Sequence, residues 1–192
     1  VYPAADEDDQ SAKFAEVYPD CDWATIPRRA WLAGRALDYL RTLDTADMTR
    51  VAITGHSRNG KQSLIAAAID PRVSAVVSSS AGAAGASPYR FTCERELLES
   101  VEVTTRLCPD WFHPRLRFFT GREHKLPTDT HAYMALIAPR ACLISSAYYD
   151  GCESVFRIER AVRSAREVYD LLGRADALGV RDVASGTPAT PE

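Results

Sequence analysis

The sequence has no apolar run long enough to cross a bilayer: its longest, such as Leu64 to Ile69, span a few residues where a membrane helix needs about 20. No excess of positive charge is present either. With Lys+Arg 23 against Asp+Glu 26 the net charge is -3, which argues against a nucleic-acid partner held by clustered cations. No CxxC pair occurs, and the five cysteines (Cys21, Cys93, Cys108, Cys142, Cys152) are odd in number. Neither a zinc ribbon nor a complete disulfide framework is therefore expected, and buried thiols are. No internal repeat is visible, and no basic segment followed by an apolar one stands at the start, so any targeting signal has been removed or lies outside these residues. What remains, 46% hydrophobic and 26% charged, is the balance of a globular chain with one sizeable core.

The hydrophobic pattern alternates between two periods. The stretch to Pro27, with its acidic cluster Asp6, Glu7, Asp8 and Asp9, reads as loop. From Arg28 to Leu43 the residues Leu32, Ala33, Ala36, Leu37, Leu40 and Leu43 recur at helical spacing and predict one buried stripe. Val51 to Thr54 reads as a strand ending at Gly55, and Leu64 to Ile69 as a helix stopped by Asp70-Pro71. Val73 to Ser79 predicts a strand buried on both faces, followed by a close-packed Gly/Ala/Ser loop over Ala81 to Ser87. Helices are expected over Glu94 to Val103, Asp129 to Ala138 and Glu153 to Leu172, a broken helix over Trp111 to Phe119, and a third strand over Ala141 to Ala147. Strands alternating with helices imply an α/β fold, a mostly parallel sheet with flanking helices. Residues 1–173 are assigned to this domain and 174–192, rich in Gly, Ala, Pro and Thr, to a flexible tail.

The string with chemical content is Val51 to Lys61, Val-Ala-Ile-Thr-Gly-His-Ser-Arg-Asn-Gly-Lys. A serine on a tight strand-to-helix turn projects its hydroxyl above the sheet, beside a helix N-terminus that stabilises developing negative charge. Ser57 is the candidate nucleophile on that reasoning. Gly55 to Lys61 also fits most of a phosphate-cradling loop, but Gln62 stands where the magnesium-binding hydroxyl belongs. An ordinary turn in which Ser57 merely caps the helix is the third reading. The usual nucleophile elbow is GxSxG, whereas here the second glycine is displaced by one residue.

The string Gly55-His56-Ser57-Arg58-Asn59-Gly60-Lys61 resembles the glucuronoyl esterases, carbohydrate esterases with an α/β-hydrolase fold and the elbow pattern G-x-S-R-x-G-K. The helix from Trp31 to Leu43, the stretch from Trp111-Phe112, and Leu126 to His131 running into Ala135 to Arg140 fit the same resemblance, which covers about Ala24 to Gly173. It implies a three-layer fold and serine-based cleavage of an ester joining lignin alcohols to 4-O-methyl-glucuronic acid on xylan, without a metal or organic cofactor. By the same resemblance Ser57 is expected to attack the ester carbonyl, Arg58 to supply its backbone N–H and guanidinium to the oxyanion, and Lys61 to contact the uronic acid sugar. On the bland alternative Lys61 is a solvated helix residue. The triad acid is expected after one of the two strands that follow the elbow. At the first location stand Ser79, Ser80 and Ala81, and at the second Asp150, with Glu153 close by, so Asp150 is the expected acid, against the alternative of an Asp-Gly turn. A secreted or periplasmic location is also implied.

The base breaks the pattern. In this fold the order is Ser, acid, His, yet no histidine follows His131. His56 adjoins the nucleophile within the elbow, His113 and His124 lie in the irregular middle segment, and His131 matches a structural position of the family. Where the family has a substrate-stacking Trp, Gly151 and Cys152 stand here. The region before Val51 holds one helix and no strand, although the fold places the elbow after its fifth strand. The expectation is the middle of an esterase domain, short of its early strands and its final His loop, with an open sheet edge available for pairing with another chain. A catalytically silent chain and a small-ester hydrolase are the alternatives carried forward.

Overall fold

The computed structural model describes residues 13–91, 99–147 and 152–183. Four parallel strands, β1 (Ala52–His56), β2 (Ala75–Ser79), β3 (Ala141–Ala147) and β4 (Leu178–Val183), lie side by side in chain order. The helices are α1 (Phe14–Val17), α2 (Thr25–Leu40), α3 (Arg58–Ile69), α4 (Val101–Leu107), α5 (His131–Ile137) and α6 (Val155–Leu171), with short 3-10 turns between them. The fold is α/β, as the alternation of periods predicts. No described helix is long and apolar enough to cross a membrane.

Register explains which face is the core. Ile53, Val76, Cys142 and Leu178 are paired across the sheet, as are Gly55, Ser78, Ile144 and Val180, so each row shares one face. Against that face pack Leu37 of α2, Leu64 and Ala67 of α3, Met134 and Ile137 of α5, and Ile158, Ala161 and Val162 of α6. On the opposite face the row Thr54, Val77, Leu143 and Gly179 contains no buried residue. Of the three expected layers, the described residues supply the sheet and the helix layer on this one face. β2 accordingly alternates between half-buried and buried instead of being buried on both faces, because one side of it has no cover among the described residues.

Arg140, in the Pro-Arg stretch before β3, donates to Val73 O at 2.7 Å and Asp70 O at 3.1 Å, which ties the end of α3 to the start of β2 and β3. Tyr169 of α6 donates to Arg140 O at 3.0 Å.

Several expectations are corrected. Residues 178–183 are not tail: Gly173, at φ 69, turns the chain out of α6, and Leu178–Val183 returns to pair with β3. The helix expected over Glu94 to Val103 is instead Val101–Leu107. Ser100 sets its start by accepting the Val103 N–H, while residues 92–98 lie outside the described residues. Of the described cysteines only Cys142 is buried, whereas Cys21 and Cys152 are exposed, so the sulfur atoms do not form a common core feature. The α2 stripe is only partly covered. Leu37 is buried, but Ala36 is exposed and Leu40 and Leu43 are each 37% exposed, because nothing described lies against that side of the helix.

Candidate active site

The turn between β1 and α3 is built by close approach. A Cβ on Gly55 would fall 2.2 Å from Asn59 O, and one on Gly60 would fall 2.8 Å from Ser79 O, so both positions need glycine for space. The unusual backbone belongs to Ser57 itself, at φ 56 and ψ -129. A non-glycine residue in that region costs about 1–3 kcal/mol and is held only where its surroundings fix it. They do: Ser57 N–H donates to Ser79 O at 2.9 Å, and Ser57 O accepts from Gly60 N–H at 2.8 Å and Lys61 N–H at 3.2 Å. The side chain is exposed at the strand's C-terminal end, at the N-terminus of a 12-residue helix whose first N–H groups point the same way. A capping serine accepts a bond from the helix, and Ser57's side chain makes no such bond. Arg58, half-buried, is the first residue of α3.

Lys61 departs from the solvated helix residue of the bland alternative. It is 1% exposed, and its ammonium donates to Ala81 O at 2.6 Å, Ala83 O at 2.8 Å and Glu99 Oε2 at 2.5 Å. All three of its hydrogens are engaged. The Trp111 ring lies with its centroid 5.8 Å from Nζ. Lys61 thus pins the loop after β2, in which Ser80, Gly82 and Ala84 all have positive φ. From the other side the buried Glu153 accepts the Gly82 N–H at 2.9 Å and the Ser146 hydroxyl at 2.9 Å. Asp129 adds a third anchor, accepting the N–H groups of Tyr89 and Arg90. Ala83, Ala84, Tyr89, Val101 and Leu126 form a separate small core above the sheet around this loop. Sequence reasoning missed Glu99 as the partner of Lys61, since 38 residues separate them and no local pattern joins them.

Asp150, the expected acid, lies outside the described residues. The four histidines are not gathered at Ser57. His56 ends β1 with Nδ1 3.5 Å from Ser79 Oγ, His113 Nε2 is 2.8 Å from an oxygen of the exposed Asp22, His124 is exposed in a 3-10 turn, and His131 starts α5. Among the described residues none of them is hydrogen-bonded to the Ser57 hydroxyl. The bond to His113 holds the Asp22 carboxyl below the usual range.

Ser57 at positive φ, with Arg58 next to it and the loop pinned by Lys61 above it, is the arrangement expected of a nucleophile turn. The family model of fungal glucuronyl esterases matches residues 3–173. The chain belongs to the glucuronoyl esterase family. A carbohydrate esterase, MZ0003, from an unknown prokaryotic organism is 38% identical over 151 residues, 79% of this chain and 34% of that protein. The 4-O-methyl-glucuronoyl methylesterase 1 of Phanerochaete chrysosporium is 32% identical over 160 residues, 80% of this chain and 34% of its own length. Among solved structures, a glucuronoyl esterase of carbohydrate esterase family 15 from Caldicellulosiruptor kristjansonii superposes with a TM-score of 0.80 at 29% identity, over 89% of this chain and 49% of that one. The chain therefore spans about a third to a half of the length of these esterases, and its parallel sheet with flanking helices is part of the family's α/β-hydrolase-type fold.

Proposed function

We propose that this chain carries the nucleophile and oxyanion side of a serine carboxylic ester hydrolase acting on esters of (4-O-methyl-)glucuronic acid. The observation that carries the reading is Ser57, exposed at φ 56 between β1 and α3. Its hydroxyl attacks the ester carbonyl, and the tetrahedral oxyanion is met by the Arg58 N–H and guanidinium at the start of α3, a fixed cation suited to that charge. Lys61 serves the sugar through the wall it orders. Its partner Glu99 keeps a side chain 21% exposed, and this carboxylate presents an acceptor for a sugar hydroxyl while Lys61 holds it in place. Asp150 is the acid that orients the base. The substrate class is supported by relatives whose names specify 4-O-methyl-glucuronoyl methylesterase activity.

A second reading follows from the histidines. With none bonded to Ser57 among the described residues, the serine lacks the base that makes a hydroxyl nucleophilic, and the chain by itself is catalytically silent or nearly so. Hydrolysis of a methyl glucuronate ester and of an aryl acetate, by monodisperse parent and Ser57→Ala proteins, tests both. Slow turnover that disappears in Ser57→Ala supports the esterase reading, and a preference for the acetate moves the substrate to small esters. Turnover unchanged in Ser57→Ala removes Ser57 as nucleophile, and turnover lost in both Ser57→Ala and His131→Ala makes His131 the base.

A further inference from the structure

Arg35, Arg50, Arg72, Arg106 and Arg174 each meet an aspartate or glutamate oxygen within 3.3 Å. Arg160 and Arg163, exposed on the outer side of α6, do not. Among the described residues neither guanidinium has an ion pair or a hydrogen-bonded acceptor. What holds Arg160 is aromatic: its guanidinium carbon lies 4.2 Å from the centroid of the Phe91 ring and 5.6 Å from that of Phe156. Such a contact orients the cation and uses none of its five N–H donors. Both rings are exposed, Phe91 at 42% and Phe156 at 61%. With Arg163, Ser164 and Glu159 these residues line a pocket of about 250 Å³. Glu159 pairs with neither arginine and lies near Asp182 of β4, whose carboxyl is raised by burial first and by Glu159 second. An oriented cation with idle donors, a second cation one turn on and apolar ring faces beside them are the parts of a site for a cyclic group that carries a carboxylate.

We propose that this pocket is a second carbohydrate site, separate from Ser57, which binds a free uronate branch of a polysaccharide. The carboxylate takes the N–H donors of Arg160 with Arg163 as the supporting cation, and the C–H face of the pyranose ring lies on the exposed Phe156 ring. The space is below the roughly 300–1,000 Å³ of pockets that hold drug-sized ligands, so it admits one sugar ring and leaves the rest of the polymer outside. That the anion is a uronate rests on the glucuronate-ester reading of Ser57: hydrolysis turns a neutral ester branch into a free carboxylate on the same sugar. Phe156 stands in the first turn of α6, after the C-terminal end of β3, and Ser57 follows the C-terminal end of β1 in the same parallel sheet. A chain held by an acid branch at Arg160 is therefore held at the end of the sheet where its ester branches are cleaved.

Native electrophoresis of the Ser57→Ala chain, through gels containing glucuronoxylan with free acid branches or the same polymer with its carboxyls reduced, reads binding without turnover. Retardation is expected in the first gel only, and excess sodium glucuronate should relieve it. Adding Arg160→Gln should weaken the retardation by about tenfold or more, as expected for the loss of a charge-assisted pair of hydrogen bonds, and Phe156→Ala should weaken it with every charge kept. Arg50→Gln removes the same charge from an arginine before β1 and should change nothing. All three positions are exposed, so the variants should melt with the parent. No retardation, equal retardation by the carboxyl-reduced polymer, or equal losses in Arg160→Gln and Arg50→Gln would overturn the proposal. Turnover of a methyl glucuronate ester, measured separately on chains that keep Ser57, divides the two readings: retardation without turnover supports this site and counts against the catalytic one, and turnover without retardation does the reverse.

Discussion

Replacing Lys61 by methionine should cost about 3 kcal/mol of folding stability. Methionine keeps the length and apolar stem of the side chain but donates nothing, so Ala81 O and Ala83 O lose their donor and Glu99 loses its counter-charge. Removing one partner of a buried ion pair costs about 3–5 kcal/mol, because the remaining group stays desolvated without compensation. Each orphaned buried carbonyl costs about 1–3 kcal/mol. The two figures describe the same ammonium and do not add. Glu99 is 21% exposed, so water relieves part of its loss and the lower end of the range applies. For a domain of this size the melting temperature should fall by about 6–12 °C. Glu99→Gln keeps an acceptor for the Lys61 ammonium but removes the counter-charge of a buried cation, and should cost about 2–3 kcal/mol. The double variant Lys61→Met/Glu99→Leu should be less destabilised than the sum of Lys61→Met and Glu99→Leu, since neither charge is then left alone. Urea unfolding of the parent and each variant provides the cycle. A Lys61→Met protein within about 0.5 kcal/mol of the parent, or strict additivity in the cycle, refutes the reasoning.

Gly55→Ala should destabilise by about 2–3 kcal/mol or more in the same urea experiment, because the new Cβ would fall 2.2 Å from the backbone oxygen of Asn59, which moves only if α3 leaves β1. In any active form of the protein, Arg58→Ala should lower kcat by about 10²-fold with little change in KM, as expected for a group that meets only the oxyanion, and equal kcat in the two proteins removes the role. Burial pushes the Cys142 thiol up to about 12, so the unfolded chain ionises first. Its contribution to stability is intact below about pH 9 and declines between about pH 9 and 12, by at most about 1.4 kcal/mol per pH unit. Urea midpoints at pH 8 and pH 10.5 should therefore separate less in Cys142→Val than in the parent, and an identical separation contradicts the assignment.

The turn between β1 and α3 was legible because its information is local. Gly55, Ser57 and Gly60 sit within six residues, and the structure uses them for close approach, exposure at positive φ, and close approach again. β3 was legible to the residue, bounded by Pro139-Arg140 on one side. β4 was not, because Gly173, Ala175, Ala177 and Gly179 give the segment the composition of a tail and only its pairing with β3 makes it a strand. The burial of Lys61 was equally hidden. Helical spacing places it on α3, but what covers it is a loop 20 residues away and a carboxylate 38 residues away. The α2 stripe shows the converse case. Its periodicity reads as buried, and the side chains that would bury it are not among the described residues, so Leu40 and Leu43 remain partly exposed. Local pattern reports what a helix face is suited to contact, and tertiary structure reports whether the contact is present.

The central claim is that Ser57 is an elbow nucleophile and not a helix cap, and covalent labelling tests it most directly. The chain is incubated with a fluorophosphonate probe, digested and mapped by mass spectrometry, beside Ser57→Ala. The nucleophile reading predicts a single adduct, on the peptide containing Ser57, and none in the variant, whereas no adduct in either protein supports the silent reading. An adduct that persists in Ser57→Ala, or one found on another serine while Ser57 stays unmodified, would contradict it.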